Sequence, residues 1–242
     1  KIKAEIDKQI ALYVDAKVNF KTDDFSLSLF KNFPDVTASL NNLSVINNAP
    51  FKGDTLASIG SFGITVDLWS VFGDKMKINK ISLDKPRVFA KVNKEGKANW
   101  DIVRPQPLDT TSKKNQDTTS KFSLAIKKWE ITEGLVVYED KTMPMYVKID
   151  KINHEGKGNL DADVFDLYSE TNIEKFTFSF DGTEYLTEKK VTAEVTMGMD
   201  LKGFKFTFKE NKVQLNDFGL KFDGFVAMPD TNITMDIKYA TT

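Results

Sequence analysis

The sequence predicts a mainly β protein. The expected fold is a large curled antiparallel sheet, a meander of roughly eleven to fourteen strands, with an N-terminal amphipathic helix packed on its apolar face. Three observations carry this expectation. From residue 20 onward, apolar and polar residues alternate with a period of two, as in Phe62, Ile64, Val66 and Leu68. The alternating runs are separated by turn formers such as Pro50, Gly53-Asp54, Glu95-Gly96 and Asp181-Gly182. Phenylalanine, which suits a pleated and half-buried surface, occurs 19 times in 242 residues.

Residues 1–18 break this rule. Ile2, Ile6, Ile10 and Val14 recur every fourth position, with Lys3, Asp7, Lys8 and Asp15 between them and no Gly or Pro. That spacing predicts a helix with one apolar stripe, suited to lying on a sheet. Residues 20–103 read as strands with short turns. Together, 1–103 form the N-terminal helix plus a first β-region. Residues 104–121 change to Ser, Thr, Lys, Asn, Gln and Asp with almost no apolar content, the composition of a flexible linker or long loop. Residues 122–242 form a second β-region, able to continue the first sheet. Its longest strand carries Val191, Ala193, Val195, Met197, Met199 and Leu201 on one face, and Thr192, Glu194, Thr196 and Asp200 on the other. Phe204, Phe206 and Phe208 are expected on the next strand, with a turn at Asp223-Gly224.

Almost every strand is apolar on one side, so one face of the sheet is dry and the other wet. Two outcomes stay open from pattern alone: the sheet closes into a packed core, or part of its apolar face remains a groove. If a groove forms, its lining is Phe176, Phe178, Phe180, Val191, Val195, Met197, Met199, Phe204, Phe206 and Phe208. Unbranched Met beside Phe makes an adaptable apolar surface.

Composition narrows the chemistry. Net charge is −1 and only Arg87 and Arg104 are arginines, so no nucleic-acid partner is expected. Charge is uneven: residues 1–103 hold 15 basic and 12 acidic side chains, and 122–242 hold 15 and 21. The absence of cysteine excludes disulfides, thiolate metal sites and a Cys nucleophile. The single histidine, His154, lies in the turn-like stretch Asn153–Gly158 and reads as an exposed turn residue. Asp161, Asp163 and Asp166 lack the Gly and distal Glu of a calcium loop. No catalytic residue, metal site or cofactor is assigned, and an enzyme is not expected. No run reaches the ~20 apolar residues of a membrane span, and the start inside an amphipathic segment suggests an anchor ahead of Lys1.

Several stretches, in order, resemble the AsmA family: Phe33-Pro34-Asp35-Val36 through Val45, Leu56–Ile59, Val66-Asp67-Leu68-Trp69-Ser70-Val71-Phe72, Ile78–Pro86, and Asn93–Asp101 with its Gly96-Lys97-Ala98-Asn99-Trp100. The resemblance covers residues 20–103, with Tyr138-Glu139-Asp140 and Asp223-Gly224-Phe225-Val226 as later matches in the manner of Bacteroidetes-type members. It implies a bacterial envelope protein anchored in the inner membrane and facing the periplasm. It also implies a role in outer-membrane assembly and kinship with repeating β-groove proteins that conduct phospholipid. The expected partners are then a phospholipid or other acyl-chain lipid, the membrane through the anchor, and other envelope proteins. The alternative is a packed β-scaffold that binds proteins without lipid.

Overall fold

The structure, a computed structural model, describes residues 2–29, 33–72, 76–104, 122–123, 126–160, 162–228 and 232–241. A short helix α1 (Ile2–Tyr13) precedes fourteen strands: β1 (Ala16–Asn19), β2 (Phe25–Ser28), β3 (Asp35–Asn47), β4 (Thr55–Asp67), β5 (Met76–Asp84), β6 (Arg87–Val92), β7 (Phe122–Ser123), β8 (Lys128–Asp140), β9 (Met145–Lys157), β10 (Val164–Phe180), β11 (Thr183–Asp200), β12 (Lys205–Leu215), β13 (Phe218–Ala227) and β14 (Thr234–Thr241). All belong to one sheet ordered β1-β3-β4-β5-β8-β9-β10-β11-β12-β13-β14. β2 extends the β1 edge along β3, β6 continues the line of β5, and β7 lies beside β5.

The mainly β expectation holds, and from β8 to β14 the sheet is the expected antiparallel meander. Two features differ. The helix stops at Tyr13 rather than at residue 18. Val14 forms a bridge with Val103, and Ala16–Asn19 pairs with Ser44–Asn47. Ala16, Val18 and Phe20 alternate in strand fashion, and the edge of β3 offers them a ladder that a helix could not use. The packing of an amphipathic helix on the apolar face is therefore not supported. Leu12 and Tyr13 are about half exposed, and Ile10 alone of the described helix side chains lines the apolar cavity described below.

The second difference is a parallel junction. β5 and β6 form one line interrupted at Lys85-Pro86, and both pair in parallel with β8. The turn after β6 does not make a hairpin with β8. Ala98 bridges back to Val92, and the chain then runs to Val103, where the Arg104 guanidinium donates to the Val14 carbonyl (3.1 Å) and to Asp15 (3.1 Å). It rejoins the sheet at β7, beside the start of β5. The expected linker falls in this crossover, and its residues 105–121 lie outside the described residues.

Asn99 secures the crossover. It is 1% exposed. Its side chain accepts from the Lys91 N–H (2.8 Å) and donates to the Phe89 carbonyl (2.7 Å), and Asn47 donates to its backbone carbonyl (2.6 Å). The β8–β9 turn is held by Asp140, which accepts from the Thr142 hydroxyl (2.6 Å), the N–H groups of Thr142 and Met143, and the Tyr138 hydroxyl. These donors, the Thr142 hydroxyl foremost, hold its carboxyl down at about 2. Asp181-Gly182, both with positive φ, make the expected two-residue hairpin between β10 and β11. Asp223-Gly224 is not a turn: it lies inside β13, where a side chain at Gly224 would strike the backbone of Asp236.

A line of irregular residues crosses the sheet. Asn42, Lys85, Glu133, Lys151 and Glu188 all have φ between 46° and 54°. The register sets Asn42 beside Gly60, Gly60 beside Lys85, and Lys85 beside Glu133. The row continues through ion pairs Lys151–Glu174 (2.7 Å) and Lys175–Glu188 (2.9 Å). The ladder slips beside Glu133 and beside Glu188, as at a β-bulge, while Asn42 and Lys151 keep the register of their neighbours. The left-handed backbone at Asn42 resets the alternation, so Leu40 and Leu43, three residues apart, line the same cavity.

Replacing Asn99 by Ala leaves the Lys91 N–H and the Phe89 carbonyl without their side-chain partner, and should lower the unfolding free energy by about 2–3 kcal/mol. Urea unfolding followed by circular dichroism measures this; an unchanged midpoint would show that the crossover is held elsewhere.

Candidate functional site: an open apolar face

Directly paired strand residues share a face, so the register traces both sides of the sheet. One side is polar. Lys80 pairs with Glu130 (2.6 Å), Lys128 with Glu155 (2.8 Å), Lys209 with Asp166 (2.5 Å), and Lys212 with Glu194 (3.6 Å). The hydrogen bond between Lys128 and Glu155, foremost, holds the Glu155 carboxyl below its ordinary pKa and the Lys128 ammonium above its own.

The opposite side is apolar from one edge to the other. Leu40 faces Phe62, which faces Leu83, and Ile64 faces Ile81. Ile81 leads across the parallel junction to Trp129, and Leu83 to Ile131. Ile152 faces Ile173, which faces Val191, which faces Leu215. Phe222 faces Tyr239 at the far edge. No second layer covers this side among the described residues. The buried hydrophobic residues are Leu56, Ile78 and Ile173. Most others are half-buried, screened laterally by their neighbours but not from above.

The sequence-predicted lining falls largely on this face. Met197 faces Leu167 and Phe208, Met199 faces Phe165 and Phe206, and Val195 faces Ser169. Phe208 meets Phe222 edge to face, with ring centres 5.6 Å apart. Phe176, Phe178 and Phe180 form a second group beyond the irregular row, opposite Ile149, Val147 and Met145. Phe178 contacts the Tyr185 ring at 6.0 Å. Phe204 departs from the expectation: it occupies the turn after β11 with φ 45°, is 55% exposed, and belongs to no strand.

Sequence reasoning missed a walled part of the face. Near the N-terminal edge, Ile10, Val18, Phe20, Phe25, Ala38, Leu40, Leu43, Phe62 and Ile64 line a cavity of about 450 Å³. Its accessible lining is carbon throughout; Lys21 and Thr22 contribute only carbons and are themselves exposed. It forms because β1 and β2 lie end to end on β3, with the bend at Phe20–Asp24 lifting Phe20 and Phe25 around the apolar side chains of β3 and β4. The sequence reading places Val18 at the end of a helix, and it gives no sign of the phase change at Asn42 that adds Leu43.

His154 was also misread. It lies within β9, not in a turn, half-buried on the apolar face. Trp129 Nε1 donates to its Nε2 (3.0 Å), and its Nδ1 lies 2.8 Å from the Thr171 hydroxyl. The Trp129 ring covers Gly156, where any side chain would collide with it. Since Nε2 accepts, the proton of the neutral ring sits on Nδ1. Burial lowers its pKa below 6.5. The arrangement pins a Trp ring flat against the apolar face and is not placed to activate a nucleophile. Among the described residues no three His, Asp or Glu side chains are clustered for a metal ion, and no helix is long and apolar enough to cross a membrane.

The model of the AsmA family matches residues 1–234 of the 242. No curated protein and no solved structure gives a match.

His154 is the only histidine, so its titration can be followed without assignment. Its ring should titrate below 6.5 as the Nδ1–H tautomer, read by long-range proton–nitrogen correlation spectra. Because the folded pKa is depressed, its contribution to stability is complete above pH 6.5 and shrinks as pH falls below that value. A midpoint at or above 6.5 would contradict the Trp129 hydrogen bond. Gly156→Val should displace Trp129 and destabilise the fold by about 2 kcal/mol or more, by overpacking, as measured by thermal unfolding.

Proposed function

The chain belongs to the AsmA family, and from that premise we propose that it is a periplasm-facing envelope protein. It is held at the inner membrane by an anchor outside this sequence, and it carries acyl-chain lipid, phospholipid above all, on the apolar face of its sheet. The role is phospholipid handling or outer-membrane assembly rather than catalysis.

The observation that supports this reading most is the uncovered apolar face. An apolar strip that crosses eleven paired strands is the kind of contiguous surface that marks a binding site. An occupant would remove it from water. Acyl chains suit this surface because they are continuous, apolar and without hydrogen-bonding demands. The Met197–Phe208 and Met199–Phe206 pairs give a deformable lining able to take chains of differing length. A packed scaffold would instead need a second layer over the same face.

The test is lipid extraction and mass spectrometry on protein purified without detergent. Near-stoichiometric phospholipid is expected, and Met197→Asp should remove most of it while leaving the circular dichroism spectrum native, since an open face tolerates a charge that a closed core would not. Lipid-free, well-folded protein would overturn the proposal.

A further inference from the structure

We propose that the cavity beside β1 and β2 is a seat for the end of a single acyl chain whose anionic head stays outside. This rests on the lipid reading above and gives it a place. The argument begins from what the cavity cannot hold. Its accessible lining is carbon alone, so a water molecule inside would find none of the two to four partners it needs. A peptide segment, from a partner or a second copy of this chain, would bring backbone N–H and C=O groups that also require partners. A methylene chain requires none.

The size is suitable: about 450 Å³ lies in the range of small-molecule pockets. It is also three times the ~150 Å³ of an engineered apolar cavity that stays dry and takes up benzene. Walls stand on several sides. Ile10 comes from α1, Phe20 and Phe25 from the bend along β3, and Leu40, Phe62 and Ile64 from the floor. Among the described residues the rest of the apolar face has no cover above it, so these walls give a chain end contacts on more than one side.

The rim supplies the matching charge. Lys21 lines the mouth, is exposed, and makes no ion pair among the described residues. Asp23 and Asp24 follow it in the next turn, and the Asp24 carboxylate is engaged by the Asn42 amide at 2.9 Å. An anionic head held at Lys21 with its chain directed inward satisfies both halves of the site. Leu40, Phe62 and Leu83 are successive cross-strand neighbours, so the seat opens directly onto the rest of the face.

The experiment is photolabelling of the purified chain with palmitic acid bearing a diazirine at its chain end, and in parallel with a phosphatidylglycerol bearing the diazirine at the end of one chain. Adducts are then mapped by mass spectrometry. Adducts concentrated on β1–β4 and α1 are expected. Labelling by the phospholipid marks the seat as a stop on the phospholipid path, and labelling by the acid alone marks it as a free fatty-acid site. Ala38→Phe, which fills the cavity with carbon, should cut labelling there at least tenfold. Should that variant not fold, the adduct map of the unaltered chain decides alone. Adducts confined to β10–β12 would overturn the seat while leaving the lipid-bearing face intact; no adduct anywhere would overturn both.

Discussion

The structure depends on backbone hydrogen bonding across a single layer. With three buried hydrophobic residues among those described, no central core holds the elements together. Each strand is held by the ladders to its two neighbours and by side chains that touch along the sheet rather than through it. Cooperativity is then close to one-dimensional, as in solenoids, where each unit is stabilised by the next. That is why the irregular points matter: wherever the ladder is interrupted, a side chain takes over the missing bond. Asn99 does this at the crossover, and Asn211 at the β11–β12 bulge, where it accepts from the Thr196 N–H at 2.6 Å.

Most of the sheet was legible because period-two alternation is a direct record of two unlike faces. Val191 to Met199 declared their side without ambiguity, and the partners Phe206 and Phe208 followed from the same rule. What could not be read was whatever depends on pairing rather than on periodicity. The apolar spacing of Ile10 and Val14 suits a helix, yet Val14 is drawn into a bridge with a residue 89 positions away. The turn after β6 looks like the start of a hairpin, and only the docking of β8 beside β5 reveals a parallel crossover. Asn153–Gly158 has turn composition but runs straight through β9, because Gly156 is there to make room for Trp129.

The candidate site was legible to the same degree. The β10–β12 phenylalanines and methionines stood out by repetition, apart from Phe204, whose left-handed backbone removes it from the series. The enclosed end near β1 was hidden, since its walls come from five separate segments and no one of them is unusual. Between the two ends, Trp129, His154 and Thr171 insert a hydrogen-bonded polar group into an otherwise apolar surface. The face is thus graded along its length: a pocket at one end, an aromatic and polar waist in the middle, and a broad soft lining beyond.

The row of left-handed residues from Asn42 to Glu188 has a mechanical meaning. A pleated sheet is stiff along its strands because bending it there strains every ladder at once. Left-handed residues placed side by side on neighbouring strands concentrate that bending in one line, as a score does in card. The ion pairs Lys85–Glu133, Lys151–Glu174 and Lys175–Glu188 lie along the score, all solvent-exposed, so they are weakened by salt and not locked by burial. Along this line, and not within the regular ladders beside it, a change in the curvature of the apolar side would strain the pairing least.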